Sequence, residues 1–298
     1  MESRIKKIKY IVALAIFKVR SCLNKNRIKV IDIDGTIEEL ITGSRSLVRF
    51  GDGEISLIRG YGIRFQPYSK EIQRDLIGVL ESNEDDVMIA IPPHVANYDY
   101  IKYYRKDERV AWVKESFYSY NVYKNSCKNK IYYNSLVSRL YLPFDLDYTV
   151  ASRRFKEIRK LWNNKKILIV EGQYSRLGVG NDLFDNVNKI DRILCPSKDA
   201  YSKLTEIENE IEWAMQREKY DLVLLALGPT AKVIVYHLHK LGRMIDLGHI
   251  DVEYEWFLKK TRDKVAIKGK AVNEAINGYS NLQLHDEKYE SEILKTIM

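Results

Sequence analysis

The sequence predicts an α/β protein with a Rossmann-like, mainly parallel sheet and helices on both faces. Three observations predict it. Short apolar runs recur along the chain, amphipathic helical segments alternate with them, and several runs end in Gly or Pro. With 298 residues, 45% of them hydrophobic, the chain has enough apolar surface for a large core. Only 15 Gly and 6 Pro occur, with no Ser/Gly-rich linker and no internal repeat, which favours one compact unit over two separable ones. The expected organisation is a basic helical extension over residues 1–40 and a single domain over residues 41–298.

In chain order, residues 1–27 read as a basic amphipathic helix, apolar over 10–17 and flanked by Lys6, Lys7, Lys9, Lys18 and Arg20. That run falls short of the roughly 20 apolar residues a membrane span needs, and no small-residue cleavage site follows it. The helix is expected to pack on the domain, or to contact an anionic membrane surface or a partner enzyme. Residues 46–50, 87–91, 166–170, 192–195, 221–227 and 244–247 read as short buried strands. Segments 70–82, 96–118, 197–217, 229–241 and 252–261 read as the helices between them. The tyrosine-rich stretch 98–133 reads as ordinary packing, with an acceptor cleft or an interface as the alternative.

Charge and cysteine content bound the function. The 49 Lys and Arg against 41 Asp and Glu give +8, which favours anionic partners. The arginines stand among glycines and carboxylates and form no basic stripe, so nucleic acid is not an expected partner. Cys22, Cys127 and Cys195 are too scattered for a metal cluster and too few for a disulfide framework. A cytoplasmic location follows, with peripheral attachment to the inner face of the membrane as its variant.

Parallel sheets gather ligands beyond the carboxyl ends of their strands. Four such ends carry polar, glycine-rich sequence. In the first, Asp52 and Glu54 flank Gly53, so that both carboxylates can turn toward one point and hold Mn²⁺ or Mg²⁺. The second runs from Glu171 to Asp182, where Arg176, Gly178 and Gly180 before a helical stretch suggest a diphosphate cradle and Asn181 or Asp182 a cap. The third, Gly228-Pro229-Thr230-Ala231, has the form of a helix start that could hold phosphate or ribose. The fourth contains His249, Asp251, Glu253 and Glu255, which together with Glu274 are candidates for a general base. Spacing does not choose among them. A separate signature, Asp32-Ile33-Asp34-Gly35-Thr36, matches the D-x-D-G-T of haloacid dehalogenase-type phosphatases. The downstream aspartate pair of that chemistry is absent after residue 160, so a turn capping the helix at 36–42 is the expectation.

Taken together, residues 47–54, 169–172, 176–184, 227–231 and 248–256 make the chain resemble the GT-D type glycosyltransferases over residues 40–275. The resemblance implies a GT-D fold whose D-x-E motif, Asp52 and Glu54, binds Mn²⁺ (or Mg²⁺) and a UDP-sugar. It implies a nucleotide site along Arg176, Gly178, Gly180, Asn181 and Asp182, along Gly228, Pro229 and Thr230, and at Arg49, Ser138 and Arg139. It places the base at a late glutamate, which Glu274 fits best by order along the chain, with Glu253 as the other candidate. Family members add glucose to glycans on serine-rich adhesins, and related domains sit in polysaccharide clusters. The implied activity is therefore a metal-dependent transfer of a hexose, glucose first, from a UDP-sugar to a glycan or glycosylated protein. Leu140 replaces a proline frequent in the family, and Gln173-Tyr174-Ser175 replaces a more charged triplet, changes that bear on the donor sugar more than on the nucleotide. The alternatives are a non-catalytic nucleotide-binding protein and a Mg²⁺-dependent phosphatase using Asp32 and Asp34.

Overall fold

A computed structural model of the chain describes residues 11–19, 28–127, 131–145, 147–280, 282–283 and 285–298. Its strands are β1 (Lys29–Val30), β2 (Ser46–Arg49), β3 (Val87–Ile91), β4 (Ile131–Asn134), β5 (Lys166–Gly172), β6 (Lys189–Cys195), β7 (Leu222–Ala226), β8 (Met244–Asp246) and β9 (Ile293–Thr296). They form one sheet in the order β1-β4-β3-β2-β8-β7-β5-β6-β9, and every described pairing is parallel.

Alternation along the central strands shows why the sheet is covered twice. Leu47, Ile167, Ile169, Leu222 and Leu224 point into one apolar cluster, while Val48, Leu168, Val170, Val223 and Leu225 point into the other. The first face is covered by α2 (Ile33–Thr42), α6 (Tyr148–Ile158) and α9 (Ile250–Leu258), which bring Ile37, Phe155 and Trp256. The opposite face is covered by α3 (Asp52–Ile58), α4 (Lys70–Glu81), α7 (Leu204–Arg217) and α8 (Gly228–Leu238). A longer helix, α5 (Lys106–Ser126), follows a 3₁₀ turn at Tyr98–Tyr103, where the sequence predicts one helix over 96–118.

Six strands match the runs predicted from sequence. The other three lie at the sheet's margins: β1 and β9 are its two edges, and β4 is next to one of them. The edge strand β9 is mostly exposed and need not be apolar on both faces, whereas β4 is buried on both through Tyr132 and Tyr133, its apolar run being only Ile131-Tyr132-Tyr133. Two further departures concern predicted loops. Asp52-Gly53-Glu54 opens α3, and no helix follows Gly180, because residues 173–188 pass through turns.

Within the expected extension, residues 11–19 form a short helix, α1, and Phe17 is 2% exposed against the main cluster. β1 pairs with β4, and α2 contributes Ile33, Ile37 and Leu40 to the core, so residues 29–42 are built into the sheet and its cover. Residues 1–10 and 20–27, Cys22 among them, lie outside the described residues. Asp32 is the N-cap of α2, its Oδ1 accepting the Gly35 N–H at 2.8 Å. Asp34 accepts hydrogen bonds from Arg153 and Arg154, and those guanidiniums outweigh its partial burial and hold its carboxyl below the usual range. Both carboxylates of the D-x-D-G-T signature are thus engaged in capping and ion pairing.

Candidate active site

From β2 the sheet continues through β3 and β4, and from β8 it continues the other way through β7 and β5. Where these two directions meet, the carboxyl ends of the strands border a cleft of about 660 Å³. Such a reversal point leaves room between adjacent strand-end loops, which is where ligands settle in open parallel sheets. The volume falls within the range of small-molecule sites, roughly 300–1,000 Å³.

A buried ionic network forms the floor. Asp246 ends β8 with no exposed surface, and its Oδ2 takes the Lys232 ammonium at 3.0 Å. Its Oδ1 lies 3.2 Å from the Arg49 guanidinium, and Arg49 also donates to Ser138 Oγ at 2.6 Å. Lys232, on α8, donates to the Gly228 carbonyl at 2.9 Å and lies 3.0 Å from Glu54 Oε1. Burial alone would raise the Asp246 carboxyl, but Arg49 and Lys232 outweigh it and hold the group ionised. The turn after β8 needs glycine here: Gly248 has φ +47°, and a Cβ on it would stand 1.9 Å from Arg49 Nη2.

The two carboxylates of the D-x-E motif have different environments. On a helix, residues two apart do not share a face. Glu54 turns back on the N-cap, its Oε2 accepting the Gly51 N–H at 2.8 Å, while Lys232 takes Oε1. Asp52 stands on the cleft wall with no ion pair or side-chain hydrogen bond among the described residues. Asp52 is exposed to the cleft, whose walls nonetheless thin its hydration and raise its carboxyl; Arg139 opposes that, and the nearby Glu54, Glu115 and Glu274 raise it further. Among the described residues no group of three or more His, Cys, Asp or Glu side chains converges on one point. The described side chains alone form no metal cage, so a hard divalent cation held by Asp52 and Glu54 would have to complete its shell from substrate phosphates and water. Among the described residues the Asp52 carboxylate has no side-chain partner, and each Glu54 oxygen accepts one partner and keeps a lone pair.

Arg139, from the 3₁₀ turn after β4, faces Asp52 across the cleft and is paired with Glu274 through both guanidinium nitrogens. Glu274 is desolvated, yet Arg139 outweighs that and holds its carboxyl well below the usual range. Glu253, on α9, has the opposite setting. It is fully buried, its Oε2 accepts the Leu142 N–H at 3.0 Å, and its Oε1 has no hydrogen-bond partner and lies 3.8 Å from Arg139. Desolvation pushes its pKa up to about 7 against the pull of Arg139. His249, 3.8 Å from Glu274, is lowered to about 4 by burial and by Arg139, and is neutral at pH 7. On the α5 wall Glu115 Oε2 is 2.8 Å from His94 Nε2, and His94 Nδ1 is 2.9 Å from the Tyr104 hydroxyl.

Not every predicted site residue reaches the cleft. Asp52, Glu54, Arg49, Arg139, Gly228, Glu253 and Glu274 line it. Ser138 stands one contact behind, on Arg49. Arg176, Gly178, Gly180, Asn181 and Asp182 are not among the lining residues. Arg176 donates to the carbonyls of Gly269 and Leu282, and Asp182 pairs with Arg159 and the Tyr254 hydroxyl. The Gly178 N–H and the Asn181 amide are taken by Asp251, which also holds the buried Lys270. These contacts tie residues 176–182 to α9 and to later backbone, while Gly172, Ser175 and Leu177 of the same segment line the cleft. Pro229 and Thr230 are buried in the first turn of α8. Sequence reasoning missed Lys232, Asp246 and Glu115. A lysine inside the apolar run 231–235 was the available signal for the first.

A model of the family described as the glycosyltransferase GT-D fold matches residues 47–275. The chain belongs to that family. Glycosyltransferase GlyD of Streptococcus pneumoniae serotype 4 is 38% identical over 277 residues, 91% of this chain but 33% of that protein. The chain therefore spans about a third of that relative's length. Among solved structures, a glycosyltransferase (DUF1792) from Streptococcus sanguinis superposes with a TM-score of 0.84 at 36% identity, over 91% of this chain and all of that one. A second, reported as domain of unknown function 1792 with a distinct glycosyltransferase fold, gives 0.86 at 34% identity, over 96% of this chain and all of that one. The GT-D match includes β2, α3, the α8 start and α9, the elements that build the cleft.

Proposed function

We propose that this GT-D glycosyltransferase moves a hexose, glucose first among candidates, from a UDP-sugar to a hydroxyl of a glycan or glycosylated protein, with Mn²⁺ or Mg²⁺. The observation that supports the reading is Asp52: a carboxylate with no side-chain partner among the described residues, on the wall of the cleft at the sheet's reversal point. Asp52 and Glu54 would hold the cation. When bound, it neutralises the charge that accumulates on the departing diphosphate. Gly228 brings the amino end of α8, an 11-residue helix, to the cleft, where its free N–H groups favour phosphate. Arg139 adds a positive charge whose benefit grows as the leaving group gains negative charge.

Glu253 is the better base of the two predicted glutamates. A carboxylate paired with Arg139, as Glu274 is, has little affinity for a proton, whereas one at about 7 is matched to physiological pH. Glu274 then serves to hold Arg139 in place. Below its pKa Glu253 carries the proton that it must accept, so the rate should fall about tenfold per pH unit on the acid side. The expected kcat–pH profile has an acidic limb with a midpoint near the value for Glu253, about 7, and Glu253→Gln removes the limb along with most of the rate. A limb that persists in Glu253→Gln and disappears in Glu274→Gln would reassign the base.

The reading is tested by enzyme-dependent release of UDP from UDP-glucose and related UDP-sugars with Mn²⁺ present. Binding of UDP without consumption of any UDP-sugar would leave a non-catalytic nucleotide-binding protein. The phosphatase alternative finds its carboxylates already engaged at Asp32 and Asp34. Asp32→Ala should cost about 1 kcal/mol in urea unfolding through loss of the α2 cap. Sugar transfer should be unchanged in that variant; phosphomonoester hydrolysis by wild type that disappears in it would reverse the assignment.

A further inference from the structure

Helix α1 has two apolar faces and uses one. Ala13, Leu14 and Phe17 lie on the side packed against the core, where Phe17 touches the rings of His94 and Tyr98. Ile11, Val12, Ala15, Ile16 and Val19 fall at the i, i+1, i+4, i+5, i+8 spacing of a single helical face. All five are exposed, Ile11 at 53%, Val12 at 51% and Val19 at 63%. A surface helix ordinarily turns polar residues outward, and a helix that is apolar all round is ordinarily buried all round. The outward face of α1 therefore lacks its partner among the described residues.

The sequence around that face indicates the partner's charge. Residues 1–27 carry Arg4, Lys6, Lys7, Lys9, Lys18, Arg20, Lys25 and Arg27 against Glu2 as the one acid. Apolar side chains combined with a dense positive charge match an anionic lipid surface, which takes the former at the acyl boundary and the latter at its headgroups. A second copy of this chain would bring the same positive charge to the contact and repel it. No described helix is long and apolar enough to cross a membrane. α1 also lies outside residues 47–275, the part matched by the GT-D family, so the contact is separable from the transfer site.

We infer that α1 lays its Ile11, Val12, Ile16 and Val19 face onto an anionic bilayer and holds the catalytic domain there through Phe17. The test is co-sedimentation of the full chain with large unilamellar vesicles, either phosphatidylcholine alone or phosphatidylcholine with phosphatidylglycerol. The expected result is binding to the anionic vesicles only, weakened by added salt and reduced about tenfold or more in Ile11→Asp/Ile16→Asp. Thermal unfolding and UDP release in vesicle-free solution should match wild type in that variant, which separates failure of this inference from failure of the proposed activity. A second variant, Lys6→Glu/Lys7→Glu/Lys9→Glu, removes the charge and should lose binding while leaving the apolar face intact. Absence of binding to anionic vesicles, or undiminished binding by both variants, overturns the inference. So does a dimer in light scattering that Ile11→Asp/Ile16→Asp dissociates, since the face then belongs to a second copy.

Discussion

Asp52→Asn is expected to lower sugar transfer by about 10²–10³-fold, the cost of removing one group that stabilises charge in a transition state. The change is nearly isosteric, and the carboxylate it removes has no hydrogen-bond or ion-pair partner among the described residues. The fold should therefore be spared. The one structural debt is a favourable charge at the amino end of α3, worth about 0.3–1 kcal/mol. Transfer at saturating Mn²⁺ and UDP-glucose, with unfolding followed in parallel, measures both effects. A variant that keeps wild-type kcat would remove Asp52 from the reaction, and one that unfolds would show the residue to be structural. Glu54→Gln is a less clean experiment, because Glu54 also caps α3 and faces Lys232.

The second large effect concerns stability. Lys232→Met should destabilise the protein by about 3–5 kcal/mol, the usual cost of removing one member of a buried ion pair. Its ammonium is 3.0 Å from both Glu54 and Asp246, and Asp246 has no exposed surface on which to find water instead. Arg49 remains beside Asp246 in the variant and limits the loss at that end. Glu54 keeps only the Gly51 N–H. The midpoint of urea unfolding reports the loss, and a shift equivalent to less than about 1 kcal/mol would show that the network behaves as a solvated surface pair.

The sheet was legible where burial on both faces forces continuous apolar runs, as in β3 and β5. It was not legible at the edges β1 and β9, where that requirement lapses, nor at β4, whose short run Ile131-Tyr132-Tyr133 falls within a tyrosine-rich stretch. Gly51 and Gly53 are poor helix formers, yet Glu54 Oε2 accepts the Gly51 N–H and the segment opens α3. The site itself was partly legible. Strand ends that carry polar, glycine-rich sequence located Asp52, Gly228 and Glu253 on the cleft. The partners of those residues are a different matter: Arg49 and Asp246 are 197 residues apart, and no local pattern pairs them. In the 171–182 segment Gly172, Ser175 and Leu177 line the cleft, while Arg176, Gly178, Gly180, Asn181 and Asp182 do not. Gly178 and Arg176 suit a phosphate in sequence, but Asp251 takes the Gly178 N–H and two backbone carbonyls from late in the chain take the Arg176 guanidinium.

The central claim is that a cation at Asp52 makes the cleft a UDP site. Calorimetric titration of UDP into the full chain, with and without Mn²⁺, tests it most directly. The account predicts tight binding with Mn²⁺, much weaker binding after chelation, and loss of the Mn²⁺-dependent part in Asp52→Asn. Equal affinity with and without the metal, or an Asp52→Asn titration indistinguishable from wild type, would contradict it.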